Sequence, residues 1–157
     1  TGSVLAALLE DVPDLTGALF DLPAVCDRAP IVLEEAGVAD RVTIVPGDMF
    51  DSIPPGHDRY LLSAIIHDWD DEAAVAILGN LRAAMSPNAR AFVVELELPD
   101  HAGASLERAY DLLMLVLGGG RERSRSAFED LYGRAGLKVI DDHLLDNGWH
   151  AHELAVA

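Results

Sequence analysis

Apolar and polar positions follow one another along this chain in blocks of changing period, and the period predicts the element. Residues 3–10 set Val4, Leu5, Leu8 and Leu9 at helical spacing, which predicts a helix with that face buried. The run "TGALFDL" (16–22) reads as a short buried strand ending on Asp21. Residues 23–37 begin with Pro23 and end with Gly37, the usual helix punctuation, while Pro30 predicts a break inside. "RVTIVPGD" (41–48) is a second strand ending on an acid, Asp48. "YLLSAII" (60–66) is a third, apolar enough for burial on both faces as in a parallel sheet. A helix follows from Asp70 to about Met85, then a strand over 91–98 and helices over 105–117 and 124–136. "LKVIDDHLL" and "WHAHELAVA", joined through Asn147-Gly148, predict a terminal antiparallel hairpin. Strands alternating with helices predict an α/β, doubly wound, Rossmann-like sheet.

In open sheets of this kind ligands bind outside the carboxyl ends of the strands. Asp21, Asp48 and His67 end three predicted strands there, and Glu95 lies near the end of a fourth. Asp21 follows a glycine turn by about 20 residues, where Rossmann-like folds place a ribose-binding carboxylate. It can equally cap the helix that follows. Asp48, Met49 and Phe50 can hold an adenine, the acid accepting from its amine, or can form a simple turn.

His67 precedes Asp68, Trp69 and the acids Asp70, Asp71 and Glu72. Helix capping and the macrodipole account for the last three acids. No helix requirement asks for His67, and imidazole titrates in the range that suits a general base. Glu95 and Glu122 can orient such a base, and Glu97, on the same strand face as Glu95, can do so on spacing alone.

Charge narrows the partners. The 157 residues hold 27 Asp and Glu against 11 Lys and Arg, a formal charge of -16, so the surface repels nucleic acid and anionic lipid. Length fits one domain. Cys26 is the one cysteine, which excludes an intrachain disulfide and points to a reducing, cytoplasmic setting. No apolar run approaches the ~20 residues of a membrane span. No cluster of residues has metal-ligand spacing.

"GDMFDSIPPGHDRYLLSAIIHDWDDE", "FDLPAV" and "DLLMLVLGGGRERSRSAFEDLYGRAGL" resemble the carboxyl-terminal catalytic domain of S-adenosylmethionine-dependent O-methyltransferases, of the plant caffeate and flavonoid type with bacterial natural-product relatives. The resemblance spans residues 1–157 as one cofactor-binding catalytic domain. It implies Asp21 as ribose ligand with Leu22 beside it, Asp48 and Met49 as adenine contacts with Phe50, and Trp69 packed near the adenine. Gly2 matches the end of the family's glycine-rich loop, and Ser63 stands where plant members carry a cofactor-contacting lysine. His67 matches the general base, Glu95 and Glu122 the acids that bracket it, and Asp68, Met114 and Leu117 the acceptor pocket. The chemistry implied is metal-free transfer of a methyl to a hydroxyl of an aromatic small molecule, with S-adenosylhomocysteine as product. The resemblance also implies a first strand, most of the glycine-rich loop and an amino-terminal dimerisation domain that these residues lack. A second polypeptide or an upstream segment is expected to supply that strand, and the complete enzyme is expected to be a homodimer. A cofactor-binding relative that catalyses a non-methylating rearrangement, and a non-catalytic partner subunit, are the alternatives.

Overall fold

The first apolar block folds as helix α1 (Ser3–Asp11) in a computed structural model that describes residues 1–99 and 103–157, the side chain of Leu117 excepted. The chain divides into two units, Thr1–Pro54 and Pro55–Ala157. In the first unit α1 is followed by β1 (Gly17–Asp21), α2 (Pro23–Cys26), α3 (Ala29–Glu35) and β2 (Val42–Pro46). β1 and β2 pair in parallel, Gly17 opposite Val42 and Asp21 opposite Pro46. The break expected near Pro30 falls just before it. Proline then occupies the first turn of α3, where its missing N–H has no helical partner to lose.

The buried face of α1 differs from the one expected. Ala6 and Leu9 are buried and pack with Ala29, Leu33 and Val38, while Val4 and Leu8 are exposed. Leu5, Ala6 and Leu9 form one stripe at helical spacing, and Val4 and Leu8 form the next stripe round the helix. β1 is likewise half-buried along its length rather than buried. Arg41 closes the other side of this unit. Its guanidinium donates to the carbonyls of Leu9, near the carboxyl end of α1, and of Val12, Pro13 and Leu15 beyond it, at 2.8–3.2 Å.

The second unit holds β3 (Arg59–Ser63), α4 (Asp71–Ala84), β4 (Arg90–Glu95), α5 (Leu106–Gly118), α6 (Arg125–Arg134), β5 (Leu137–Leu144) and β6 (His150–Val156). Its sheet runs in the order β3-β4-β6-β5, with β3 and β4 parallel and β6 antiparallel to both its neighbours. The terminal hairpin therefore stands as expected. β3 is shorter than the apolar run and is buried on one face only, with Tyr60 covered and Leu61 42% exposed. Among the described residues it is one of the two outer strands of this sheet. β4 also stops early, at Glu95, and Glu97 makes only an isolated bridge to Arg123. Phe128 and Tyr132 of α6 stack on each other and meet the ring of His152 on β6, all three fully buried. Among the described residues, no helix is long and apolar enough to cross a membrane.

Asp70 is the N-cap of α4, with extended backbone and a carboxylate that accepts from Ala73 N at 2.9 Å. Replacing it with alanine leaves that N–H without its acceptor. Asp70→Ala should cost about 1 kcal/mol in urea unfolding, and an unchanged midpoint would remove the cap from the account of this helix.

Candidate active site

β3 gives way to a turn before it reaches His67. Ala64 follows Ser63 with φ of 53°, a left-handed conformation that a non-glycine residue seldom adopts, and residues 66–68 then make one 3₁₀ turn. The backbone amides that open this turn have a side-chain acceptor. Glu95, the last residue of β4, takes Ile65 N at 3.0 Å and Ile66 N at 2.7 Å on its Oε1. His67 is thus held on a turn that a neighbouring strand caps, four residues past the end of β3.

The His67 ring is buried, with Nδ1 3.1 Å from Glu122 Oε1 and 3.4 Å from Glu95 Oε2. Neither acid is exposed to any extent that would relax this: Glu95 is at 0% and Glu122 at 3%. Glu122 accepts, so the tautomer assigned by the contacts carries its proton on Nδ1 and its lone pair on Nε2. Nε2 lies 3.6 Å from Asp68 Oδ1, on an exposed carboxylate. The Glu122 hydrogen bond raises the His67 pKa above the ordinary 6.5 against the opposing effect of burial, and the charges of Glu95, Glu122 and Asp68 add to the rise. Burial pushes the Glu95 carboxyl up to about 7, opposed by the imidazole and by the two amides it accepts from. The second oxygens of Glu95 and Glu122 are buried without a hydrogen-bond partner.

One segment carries Glu122 and also grips the backbone of the His67 turn. Arg121 N donates to His67 O at 2.8 Å. Arg123, 2% exposed, donates to Ile66 O at 3.0 Å and Trp69 O at 2.7 Å, and its guanidinium is paired with Asp71 Oδ1 at 2.9 and 3.0 Å. Asp71 reaches Arg121 as well, at 2.6 Å. Gly120 makes the approach possible, because a Cβ there would collide with the carbonyl oxygen of His67.

The cofactor candidates of the first unit stand at one edge of its small sheet. Asp21 ends β1, and Asp48 comes two residues after β2; Gly47 N donates to Asp21 O at 2.9 Å between them. Asp21 Oδ1 accepts from Leu22 N and Asp48 Oδ1 from Phe50 N, both at 2.8 Å, so each carboxylate is oriented by the residue chain just beyond it. Leu22 and Phe50 are exposed. Gly2 has φ of 89° at the start of α1, with Leu19 of β1 beside it. In the second unit, Ser63, Trp69 and Met114 are half-buried. The side chain of Leu117 lies outside the described residues. Glu97, which spacing left open as a partner for His67, faces His152 instead, at 2.8 Å.

Comparison with known proteins decides what kind of chain carries these groups. The model of the O-methyltransferase domain matches residues 1–138. The chain belongs to the O-methyltransferase domain family. It is 44% identical over 138 residues to a mitomycin biosynthesis 6-O-methyltransferase of Streptomyces lavendulae, covering 88% of this chain and 39% of that protein. Among solved structures it is similar to the mitomycin 7-O-methyltransferase, with TM-score 0.94 and 39% identity over 99% of this chain and 46% of that one. It is also similar to an O-methyltransferase from neocarzinostatin biosynthesis solved with S-adenosylmethionine and 2-hydroxy-5-methyl naphthoic acid, with TM-score 0.89 and 35% identity over 99% of this chain and 46% of that one. The chain spans less than half the length of these relatives.

In this member of the O-methyltransferase domain family, Gly120, Arg123 and Asp71 are site residues that sequence reasoning missed. Asp71 reads as a helix-dipole acid, and only the fold brings the two arginines to it. The run of three glycines before Glu122 was the available signal, since such a run permits a close backbone approach. Gly120→Ala sets a Cβ against a carbonyl that cannot rotate away. It should destabilise the protein by roughly 1–3 kcal/mol and raise the hydrogen-exchange rate of the Arg121 amide. A variant with wild-type unfolding and exchange would show that the close approach is not required.

Proposed function

We propose that residues 1–157 are the S-adenosylmethionine-binding catalytic portion of an enzyme that methylates a hydroxyl of an aromatic small molecule, with His67 as general base. One observation carries the reading: His67 Nδ1 is committed to Glu122, which leaves Nε2 as the proton acceptor. Family membership and the similarity to a structure solved with S-adenosylmethionine and a hydroxynaphthoic acid support the same assignment.

The carboxyl edge of β1 and β2 suits the nucleoside. Asp21 there offers acceptors for ribose hydroxyls, and Asp48, Met49 and Phe50 offer an acceptor and apolar surface for adenine. Gly2, Leu22, Ser63 and Trp69 complete the proposed cofactor contacts, and Asp68, Met114 and Leu117 those of the acceptor. When bound, S-adenosylmethionine supplies an electrophilic sulfonium methyl and leaves as S-adenosylhomocysteine. His67 Nε2 takes the hydroxyl proton, and the carboxylates of Glu122 and Glu95 favour the imidazolium that results. Burial of the ring and both acids keeps bulk water from competing for that proton. No metal enters this chemistry. The homodimer, and a strand from outside residues 1–157, belong to the same proposal. Among the described residues β1 pairs only with β2, and β3 only with β4, so each has an edge available to such a strand.

The pH dependence follows from the direction of the His67 shift. The ion pair with Glu122 stabilises the fold fully below 6.5 and is lost as pH rises through the raised pKa. Catalysis runs the other way, because only the deprotonated ring is a base. Turnover should therefore rise with pH through an inflection above 6.5. Glu122→Gln should move that inflection to lower pH, since Glu122 provides the largest upward contribution among Glu122, Glu95 and Asp68, the charged groups facing the ring. His67→Ala should lower turnover by about 10²–10⁴-fold while leaving cofactor affinity near wild type. The assay uses the intact enzyme, S-adenosylmethionine and a panel of hydroxybenzoates and hydroxynaphthoates, read as the mass gain of one methylene group. An alanine variant with undiminished turnover would dismiss His67 as the base. Cofactor binding with a product that has gained no carbon would favour the non-methylating alternative.

Asp21→Ala tests the nucleoside site separately. Losing a charged hydrogen bond costs ~1.5–3 kcal/mol, or roughly ten- to hundredfold in affinity. Calorimetry with S-adenosylhomocysteine should show that loss, and unchanged affinity would take Asp21 out of the site.

A further inference from the structure

β6 presents two histidines on one face, His150 and His152, and the mechanism above uses neither. His152 is fully buried. Its Nδ1 is 2.6 Å from the Tyr132 hydroxyl and its Nε2 is 2.8 Å from Glu97 Oε1. His150 is half-buried, with Nδ1 3.0 and 3.2 Å from the two oxygens of Asp142 and Nε2 3.8 Å from Glu97 Oε2. Both rings thus give Nδ1 to an oxygen on a neighbouring element and turn Nε2 toward one carboxylate. The three candidate ligand atoms all lie within 4.8 Å of one another.

Metal-binding histidines have this arrangement: the nitrogen that does not bind the ion is fixed by a carboxylate or another oxygen, which sets tautomer and ring plane. Ligands about 2.0–2.1 Å from a tetrahedral zinc ion stand roughly 3.4 Å apart, so the His150–Glu97 separation of 3.8 Å is near that edge and the 2.8 Å His152–Glu97 hydrogen bond would open to admit the ion. A purely structural chain from Tyr132 through His152 to Glu97 accounts for His152 alone. His150 is held separately, by Asp142, with its other nitrogen aimed at the same carboxylate. Charge is also suited to a cation. Arg125 is 2.7 Å from Asp142 and 2.9 Å from Glu129, and stands farther off, at 3.5 Å, from Glu97. Three carboxylates therefore face one guanidinium, which has two partners besides Glu97.

We propose that Glu97, His150 and His152 bind a divalent ion of the zinc type, with a solvent molecule as fourth ligand. The ion ties β6 to the segment that follows β4 and takes no part in the chemistry proposed for His67. In the intact, chelator-treated protein, cobalt(II) should bind one-to-one with the intense visible absorption of a tetrahedral site. Zinc should displace it, and zinc should raise the melting temperature in a way that a chelator reverses. His150→Ala and Glu97→Gln should each lower cobalt affinity at least a hundredfold. His143→Ala, in the exposed group formed with Asp141 and Glu153, should leave it unchanged. His150 and Glu97 both lie near the surface, and near-ultraviolet circular dichroism of the two variants checks that they remain folded. Absence of a stoichiometric tetrahedral spectrum overturns the proposal, as does one that persists in both variants. None of these measurements depends on methyl transfer.

Discussion

The arrangement of the candidate site rests on the contact between residues 120–123 and the turn that carries His67. A histidine on a short 3₁₀ turn has little intrinsic rigidity, because such a turn makes few hydrogen bonds of its own. Here the turn is held from both ends. Glu95 accepts from the amides that enter it, and Arg123 donates to carbonyls at Ile66 and Trp69. Arg121 N binds the carbonyl of His67 itself. Gly120 is the condition for the approach of residues 120–123, since any side chain there would collide with the backbone of His67 and Asp68. The same segment delivers Glu122 to the ring, so the backbone and the imidazole of His67 are positioned by one piece of chain.

That arrangement concentrates ionisable groups where water is scarce. A buried carboxylate is unfavourable unless it is hydrogen-bonded or faces positive charge. Glu95 meets the requirement with two amides and the neighbouring imidazole, and its pKa still rises to about 7 because burial outweighs them. Of the two acids around the imidazole, each has one oxygen without a hydrogen bond, and that of Glu95 lies 3.4 Å from His67 Nδ1. Such atoms are costly to a merely structural network, which would pair them or do without them. Charge that becomes useful when the ring takes up a proton is a physical reason to retain two acids beside it.

Most elements were legible because their signals are local. Asp70, Ser105 and Ser124 each cap a helix where the apolar period begins, and Pro30 opens a helix where proline costs least. The errors arose where distant groups decide. Ile65 and Ile66 continue an apolar run, so the sequence reads on as strand. Glu95, thirty and twenty-nine residues away, takes their amides and makes a turn. The face of α1 was misjudged because Ala6 is too small to weigh in an apolar pattern, although it packs into the core. His67 and Glu122 could be singled out from type and place, whereas Arg123 could not, because its contacts with Ile66 and Trp69 lie more than fifty residues earlier.

Glu95 and Glu97 show how much a strand end decides. Two residues apart, they are interchangeable on spacing, yet they serve different histidines. Glu95 is the last paired residue of β4 and lies opposite His150 in the ladder with β6, at full burial. Its side chain nonetheless turns to the amides of the His67 turn. Beyond it the ladder stops, and Glu97 bridges instead to Arg123 while Leu98 N donates to Arg123 O at 2.9 Å. That bridge leaves the Glu97 carboxylate to His152 and to Arg125. It also gives Arg123 two attachments, its backbone to the extension of β4 and its guanidinium to the turn of His67. Both histidine clusters therefore share one mechanical support. Arg123 thus touches both the β4 extension and the carbonyls of Ile66 and Trp69 on either side of His67.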